Sequence, residues 1–400
     1  MFSHRTAWDR RLGVLAEGLA ARRAAGLSLL DLTETNPTRA GLQCPPDLLR
    51  ALADPRGCCY EPAAQGLRSA REAVAADYAA RGAEVHPDQL LLTASTSEAY
   101  GLLFKLLCDP GDDVLVPRPS YPLFEYLATL ESVAVRHYPL HYDGEWHVSF
   151  DALEAVATPR TRAVVVVSPN NPTGSFLKRD EAQRLRHLCA GRGWALISDE
   201  VFVDYRLRGD PRRPVSMAED SAALTLSLGG LSKSCGLPQL KLAWIAVAGP
   251  AALRDEALQR LELVADTYLS VSTPVQLAAP AILARHEELR RPIATRVADN
   301  LALLRHQLSP GSAATLLDVE GGWSAVLRVP ASWPDEKWAL ALLERDGVLA
   351  HPGYFFDFET EAFLVLSLLT PPADFAEGVR RLLGRVALGL DDGAGAETMR

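Results

Sequence analysis

Short runs of apolar residues alternate with amphipathic segments between residues 85 and 250. The clearest run is residues 163–167, Ala-Val-Val-Val-Val, and a continuous β-branched run predicts a strand covered on both faces. The same reasoning predicts strands over residues 90–93, 114–116, 133–138, 195–198, 224–228 and 244–247, and helices over residues 67–81, 97–107, 121–130 and 181–191. Because this alternation is typical of α/β folds, we predict a mostly parallel, doubly wound sheet flanked by helices.

The two ends of the chain carry a different pattern. Residues 7–25 place leucines near helical spacing, and a short apolar run follows at residues 27–32. After residue 253 a long helical pattern contains Pro274, Pro280 and Pro292, each of which we expect to break or bend a helix. Strands are then predicted over residues 325–329 and 363–368, and helices over residues 337–344 and 372–383. We therefore predict a large domain over residues 46–280 and a smaller α+β domain formed by residues 1–45 and 281–400.

Composition narrows the class of protein. The 400 residues carry a net charge of −9, which disfavours binding to nucleic acid or to anionic membranes. The sequence has no run of 18 apolar residues, and its first residues lack the apolar core of a signal peptide. The six cysteines form no C-x-x-C pair and no histidines have the spacing of a zinc site. We therefore expect a cytoplasmic protein with reduced thiols and no metal.

Polar residues follow several of the predicted strands, where ligands bind in parallel sheets. Ser95, Thr96 and Ser97 follow the first strand at a helix start, where amides and hydroxyls can bind an anion; an ordinary helix cap by Ser95 is the alternative. Tyr121 follows the next strand in a proline-flanked loop and can stack on a planar ligand; a surface turn is the alternative. Asn171 follows residues 163–167 between two prolines and offers a rigid amide.

Two charged residues complete this set. Asp199 ends a buried strand, where a carboxylate is costly unless it is paired with a cation. Lys233 is one of only five lysines, and it follows two glycines in an interior loop. Burial would lower its pKa, and the neutral amine could then form a Schiff base. Together the strand ends offer an anion-binding site, an aromatic ring for stacking, an amide, a carboxylate and an amine. This is the set of groups that pyridoxal 5'-phosphate (PLP) requires.

Four motifs in this order resemble a known family. They are Y-E-P-A-A-Q-G at residues 60–66, S-P-N-N-P-T-G at residues 168–174, S-D-E-V at residues 198–201 and L-S-K-x-x-G-L-P at residues 231–238. From about Leu29 to about Leu383 the chain resembles the fold type I PLP enzymes, specifically the class I/II aminotransferases.

The resemblance implies roles for the strand-end residues. Lys233 corresponds to the Schiff-base lysine, which also moves the proton between the substrate carbon and the cofactor. Asp199 corresponds to the partner of the pyridine nitrogen, Asn171 to the donor to the ring oxygen O3′, and Tyr121 to the aromatic residue stacked on the ring. Ser95, Thr96 and Ser97 correspond to the phosphate cradle.

Two further positions follow from the resemblance. Lys241 stands where the family usually has a phosphate-binding arginine. Tyr60 corresponds to a tyrosine that reaches the phosphate of the neighbouring subunit, which implies a homodimer with active sites at its interface.

The chain also departs from the family pattern. Phe202 stands where the family usually has a tyrosine that donates to O3′, and Gly230 stands where a phosphate-binding serine is frequent. Val365 occupies the position of the arginine that binds the substrate carboxylate. Three explanations stay open: another arginine replaces it, the alignment is displaced by a residue or two, or the substrate lacks an α-carboxylate. The candidate substrate-binding residues are Arg39, Asn36 and Arg328.

We predict a ping-pong aminotransferase that passes an amino group from an amino acid donor to a 2-oxo acid. Another PLP-dependent reaction on the same scaffold is the first alternative, such as that of a C–S lyase, a decarboxylase or a racemase, because the motifs determine the cofactor and not the bond that breaks. A non-catalytic PLP-sensing domain of a transcription regulator is the second, and the acidic charge balance disfavours it.

Overall fold

An eight-stranded sheet runs through the computed structural model, which describes residues 1–9, 11–219 and 221–389. The strands, in chain order, are β1 (Leu30–Asp31), β2 (Leu90–Thr93), β3 (Asp113–Arg118), β4 (Ala134–Tyr142), β5 (Trp146–Val148), β6 (Thr161–Val167), β7 (Ala195–Asp199), β8 (Thr225–Gly230), β9 (Ala243–Ala248), β10 (Thr315–Leu316), β11 (Ser324–Arg328), β12 (Val348–Leu349), β13 (His351–Pro352) and β14 (Phe363–Ser367). The large sheet has the order β2-β9-β8-β7-β6-β3-β4-β5. Strands β4, β3, β6, β7 and β8 pair in parallel, whereas β9 and β5 run antiparallel to their neighbours. The predicted α/β class with a mostly parallel sheet is confirmed.

Helices cover both faces of this sheet. The helices are α1 (Val14–Ala24), α2 (Arg68–Ala80), α3 (Thr96–Leu107), α4 (Phe124–Leu130), α5 (Phe150–Val156), α6 (Arg179–Arg192), α7 (Leu231–Ser234), α8 (Ala251–Asp266), α9 (Thr273–Leu283), α10 (His286–Gln307), α11 (Asp335–Ala341) and α12 (Pro372–Leu388). Ala163 and Val165 of β6 pack in the cluster that contains α3, α4 and α8, while Val164 and Val166 pack in the cluster that contains α5 and α6. This burial of alternate residues on opposite faces explains why residues 163–167 of β6 are all apolar.

A second, four-stranded antiparallel sheet has the order β10-β11-β14-β13, and β1 pairs in parallel with β12 nearby. Its core includes Trp338 of α11, Leu364 of β14 and Phe375 of α12. Leu32, which follows β1, packs in the same core. The N-terminal segment therefore packs with the C-terminal elements, although the division at residues 45/46 and 280/281 stays a prediction.

Several predicted element boundaries were wrong. Helix α9 continues through Pro280 and α10 through Pro292, and Pro274 lies in the first turn of α9, where its missing N–H costs little. An interior proline costs about 3 kcal/mol, and the buried face of α9, with Ala278, Ala279 and Ile282, offsets this. The strand predicted over residues 27–32 forms only at Leu30–Asp31, because only this pair meets β12.

Within the described ranges, no helix combines the length and the apolarity that crossing a lipid bilayer requires.

Candidate active site

The carboxyl ends of β2, β3, β6, β7 and β8 meet at one edge of the large sheet. Strand β9 joins two of these ends, because Ala243 pairs with Thr93 of β2 on one side and with Gly230 of β8 on the other. Val167 of β6 pairs with Asp199 of β7 in the same way. The loops that follow these strands carry the candidate residues, so the topology brings the predicted strand-end groups to a common edge.

Lys233 lies in α7, which begins directly after β8. Its Nζ atom is 5.1 Å from the ring centroid of Trp323 and 5.6 Å from that of Phe202. Among the described residues, no hydrogen bond or ion pair involves this Nζ. Burial lowers the pKa of the Lys233 amine, although the charge of Asp199 opposes this effect. The structure therefore presents a desolvated amine with an increased neutral fraction.

Asp199 ends β7 and is buried, with 8% of its surface exposed. Its Oδ1 atom accepts a hydrogen bond from the Val201 amide at 3.2 Å, and its Oδ2 atom accepts one from the Tyr100 hydroxyl at 3.1 Å. Burial raises the pKa of Asp199 to about 6, and the hydrogen bonds from Val201 and Tyr100 and the charge of Lys233 oppose this shift. This carboxyl group would be stabilised in its ionised form by any cationic partner that enters the site.

Tyr121 lies in the loop after β3 and is 40% exposed. Burial and the charge of Asp199 raise the pKa of its hydroxyl. Its ring meets Phe124 edge to face, with the centroids 6.3 Å apart. Tyr121 is thus held beside the carboxylate end of β7, with an accessible side chain.

The two asparagines after β6 have different surroundings. Asn170 is buried, and its Nδ2 atom donates to the Pro119 carbonyl and to the Thr173 hydroxyl, each at 3.0 Å. Asn171 accepts a 3.3 Å hydrogen bond at Oδ1 from the Ser324 hydroxyl of β11. Within the part of the chain that is described, its Nδ2 atom has no acceptor. Asn170 therefore fixes the loop, and Asn171 keeps a free amide donor.

Helix α3 begins at the same edge. The Ser95 hydroxyl accepts a 3.1 Å hydrogen bond from the Glu98 amide, so this side chain is the helix cap. The Thr96 and Ser97 amides stand in the first turn, where backbone N–H groups have no intrahelical acceptor. The start of α3 therefore offers amides to an anion even though the Ser95 side chain is engaged.

Lys241 is exposed and lies two residues before β9, next to Leu242, whose carbonyl accepts from the Leu231 amide at 2.9 Å. In the described ranges it has no hydrogen-bond or ion-pair partner. Gly230 faces β9 so closely that an added Cβ would lie 2.9 Å from the Cβ of Ala243. A serine does not fit there without movement of β9, which explains this departure from the family pattern.

Aromatic residues of the second sheet complete the surroundings of Lys233. Trp323 precedes β11, and its ring meets those of Phe202 and Tyr205 with centroids 5.2 and 5.1 Å apart. Phe202 lies beside the Lys233 amine without a hydroxyl, whereas the Tyr205 hydroxyl donates to the Lys233 carbonyl at 2.6 Å. The Trp323 Nε1 atom is buried without a partner among the described residues.

The predicted substrate residues lie in separate places. Val365 is buried in an apolar cluster with Trp146, Leu317, Val326 and Phe356. Arg328 is exposed at the far end of β11, four residues from Ser324 and therefore about 13 Å along the strand.

Arg39 and Asn36 lie in the exposed loop after β1. The Arg39 Nε atom pairs with Glu34 at 2.8 Å, and the Asn36 Oδ1 atom accepts from the amide and the hydroxyl of Thr38. Within the described part of the chain, no hydrogen bond or ion pair joins Arg39, Asn36 or Arg328 to Lys233 or Asn171, and their substrate role stays a prediction.

Tyr60 is 80% exposed. It lines a cavity of about 210 Å³ that Glu98 of α3 and Tyr268 also line. The Glu98 carboxylate in this cavity accepts hydrogen bonds from the Ala94 amide at 2.6 Å and from the Ser270 hydroxyl at 2.7 Å. The Tyr60 segment is therefore displayed at the surface near the start of α3.

Sequence reasoning missed Tyr100 and Tyr205. Tyr100 stands four residues after Thr96, so helical spacing places both on one face of α3, and a buried hydroxyl at the edge of the sheet requires a partner. Tyr205 stands six residues after Asp199, beyond the turn that follows β7. No local sequence pattern indicates which group its hydroxyl contacts.

Known proteins of one family are similar to this chain. The sequence profile described as aminotransferase class I and II matches residues 29–382. The chain is similar to nicotianamine aminotransferase B of Hordeum vulgare, with 34% identity over 58% of this chain and 42% of that protein. It is also similar to the S-alkyl-thiohydroximate lyase of Arabidopsis thaliana, with 33% identity over 58% of this chain and 51% of that protein.

These alignments span about half the length of the curated relatives. Among solved structures, the alanine aminotransferase of Pyrococcus furiosus superposes with a TM-score of 0.87 and 22% identity, over 97% of this chain and 100% of that chain.

Proposed function

The chain belongs to the aminotransferase class I and II family, and on that basis we propose that it transfers an amino group from an amino acid to a 2-oxo acid with PLP as cofactor. The observation that carries this proposal is the unpaired, desolvated amine of Lys233 beside the buried carboxyl group of Asp199. Such a pair, at neighbouring strand ends, is the chemistry that binds a cationic heteroaromatic aldehyde.

The residues present fit PLP. The unpartnered Lys233 amine can bind its aldehyde carbon, and Asp199 can accept a hydrogen bond from its ring nitrogen. The free amides at the start of α3 and the unpaired charge of Lys241 can bind its phosphate. Asn171 has a free Nδ2 donor for the ring oxygen, and Tyr121 offers an aromatic face.

The bound cofactor supplies a ring that withdraws electrons from the substrate carbon bearing the amino group. Asp199 keeps the proton on the ring nitrogen, because its own ionised form is stabilised by that positive charge. With PLP bound, the Lys233 Nζ atom, whose pKa is lowered, would accept the proton from the substrate carbon that bears the amino group and deliver it to the former aldehyde carbon of the cofactor. The rings of Phe202 and Trp323 exclude water from this amine.

A PLP-dependent lyase is the second candidate, because one relative is named a lyase. The residues described here bind the cofactor and move protons, and both reactions require these steps. Decarboxylation and racemisation on the same scaffold would require the same residues, but none of the relatives named above is a decarboxylase or a racemase.

The substrate class follows from the wall beside Asn171. Val365 and Val326 lie two strand positions from Ser367 and Ser324, and both are buried among apolar side chains. A buried valine at position 365 offers no charge to a substrate carboxylate, which supports a donor whose carboxylate is bound elsewhere or is absent. The resemblance adds one argument: if residues 272–274, Ser-Thr-Pro, are aligned with the interface loop of the aspartate-type members, Tyr268 takes the place of the arginine that selects dicarboxylates, and this disfavours aspartate as the donor.

The active unit in this proposal is a homodimer located in the cytoplasm. The exposed Tyr60 segment supports the dimer, because a displayed aromatic residue beside the start of α3 can reach a neighbouring subunit. The six cysteines are free, as expected in a reducing compartment.

The test is a half-reaction. The purified chain is loaded with PLP, freed of excess cofactor and mixed with single amino acids and amines in the absence of any acceptor. An aminotransferase releases one 2-oxo acid or aldehyde per site and retains pyridoxamine phosphate, whereas a lyase turns over repeatedly and retains PLP. Absence of PLP binding would overturn both candidates.

A further inference from the structure

A buried tyrosine contacts the carboxyl group of Asp199 from the helix that follows β2. Tyr100 is 2% exposed, and its ring packs against Phe104 and Phe124 with centroids 5.9 and 5.3 Å away. Its hydroxyl donates to Asp199 Oδ2 at 3.1 Å. Because the ring is enclosed by other aromatic rings, the hydroxyl has little freedom to turn away from the carboxylate.

The other groups that face Asp199 are few. The Val201 amide donates to Oδ1 at 3.2 Å. The charge of Lys233 lowers the pKa of Asp199 and that of Glu200 raises it, while Asp199 in turn raises the pKa of the Tyr121 hydroxyl. Glu200 has its own partners, the Ser198 and Ser216 hydroxyls and the Met217 amide. The Tyr100 hydroxyl is therefore the one side-chain hydrogen bond to Asp199 within the described residues.

We propose that Tyr100 is a positioning residue that holds Oδ2 of Asp199 in place and favours the ionised carboxylate that the ring nitrogen of PLP requires. This inference rests on the proposed function. Each carboxylate oxygen has a further lone pair, so Oδ2 can accept from Tyr100 and from a ligand together. A neutral hydroxyl stabilises the carboxylate without adding a competing positive charge.

The test is the pH dependence of PLP binding to the cofactor-free protein. Tyr100→Phe keeps the ring and removes the hydroxyl. Loss of a hydrogen bond to a charged group should raise the pH at which binding weakens by about one to two units. With the pKa of Asp199 at about 6 in the parent, the PLP affinity of the variant at pH 6.5 should then be about three- to 25-fold lower than that of the parent, whereas at pH 8.5 the two affinities should converge.

The matched control is Tyr138→Phe. Tyr138 is also buried, and its hydroxyl donates to the Val165 carbonyl at 2.8 Å, so this variant loses one buried tyrosine hydrogen bond away from the carboxylate. Its PLP profile should coincide with that of the parent. PLP has ionisable groups of its own, but their effect on the pH profile is the same for the parent and both variants. A difference between the profiles therefore reports on the protein.

Equal profiles for Tyr100→Phe and the parent, or an equal displacement in Tyr138→Phe, would overturn the inference. If the proposed function is wrong, the unaltered protein binds no PLP at any pH, and this result is distinct from those above. In that case the unfolding of the cofactor-free chain is followed against pH. Because burial raises the pKa of Asp199 from 3.8 to about 6, stability should fall as the pH rises between these two values and level off above the second, and in Tyr100→Phe the fall should continue to a higher pH. An unchanged profile there overturns the role of Tyr100 as well.

Discussion

The hydroxyl of Tyr205 donates a 2.6 Å hydrogen bond to the carbonyl oxygen of Lys233, and it lies 3.3 Å from the carbonyl of Ser234. This bond ties the turn after β7 to the short helix α7. Since Asp199 precedes the same turn, Tyr205 links the segments that carry the two central charged groups. Packing of Tyr205 against Trp323 extends the link to the second sheet.

We expect Tyr205→Phe to loosen α7. Losing one neutral hydrogen bond to a buried carbonyl should lower the free energy of unfolding by about 1 kcal/mol. Amide hydrogen exchange over residues 231–236 should become faster, because the tether on the Lys233 carbonyl is gone. Tyr138→Phe serves as the control, since it removes a comparable bond from β6. Unchanged protection over residues 231–236 would contradict the role of Tyr205.

Lys233→Ala should abolish turnover, with a loss of about a thousandfold or more, because the chain then lacks both the nucleophile and the base. PLP should then be removed by gel filtration. In the parent, borohydride reduction should attach the cofactor covalently to the peptide that contains Lys233, as mass spectrometry would show. Lys337→Ala is the control, since its Nζ atom lies over the ring of Trp333 away from the sheet edge. Attachment to a different lysine would remove Lys233 from this role.

The pKa of about 6 at Asp199 predicts a pH dependence for cofactor binding. Above pH 6 the carboxylate is ionised and can pair with the protonated ring nitrogen, so PLP affinity should decrease as the pH falls through 6. Asp199→Asn should remove this dependence and lower turnover by about two orders of magnitude or more. Asp335→Asn is a control, because burial also raises the pKa of Asp335, in α11, to about 6. This variant should keep the pH dependence of the parent. A retained inflection near pH 6 in Asp199→Asn would assign it to another group.

The strands of the large sheet could be predicted because their burial leaves a mark in the sequence. β6, β7 and β8 are almost wholly buried, and the centre of each appears as a run of small or apolar residues, although β6 also holds the exposed Arg162 and β7 ends at Asp199. β1, β10, β12 and β13 have two residues each and exist through pairing with distant segments. No local pattern records such a pairing.

The candidate site divides in the same way. Lys233 and Asp199 follow strand ends, so the sheet topology alone brings them to one edge. Tyr100 and Tyr205 act through a single hydroxyl, and its partner depends on how a helix and a turn pack against that edge. The need for glycine at position 230 could not be predicted either, because it arises from the close approach of Ala243 on the neighbouring strand.

Phe202→Tyr adds a hydroxyl beside the Lys233 amine, where Phe202 is 8% exposed and its ring centroid is 5.6 Å from Nζ. If the new hydroxyl donates to the ring oxygen of PLP, it should lower the pKa of the Schiff base by about half to one unit. A spectral titration of the PLP-loaded protein measures this value. Phe355→Tyr, at an exposed position, should leave it unchanged. An unaltered titration in Phe202→Tyr would show that this position does not face the ring oxygen.

The proposed dimer predicts complementation between two inactive variants. If Tyr60 of one subunit completes the site of the other, a mixed dimer of Tyr60→Ala and Lys233→Ala contains one site with both native residues. That site lies on the Tyr60→Ala chain, which supplies Lys233 and receives Tyr60 from its neighbour. Unfolding and refolding an equimolar mixture should therefore yield about a quarter of the parent activity, because half of the dimers are mixed and each has one of two sites intact. If Tyr60 serves its own subunit, both chains of the mixed dimer stay defective and no activity returns. Sedimentation of the parent as a monomer would exclude the shared site outright.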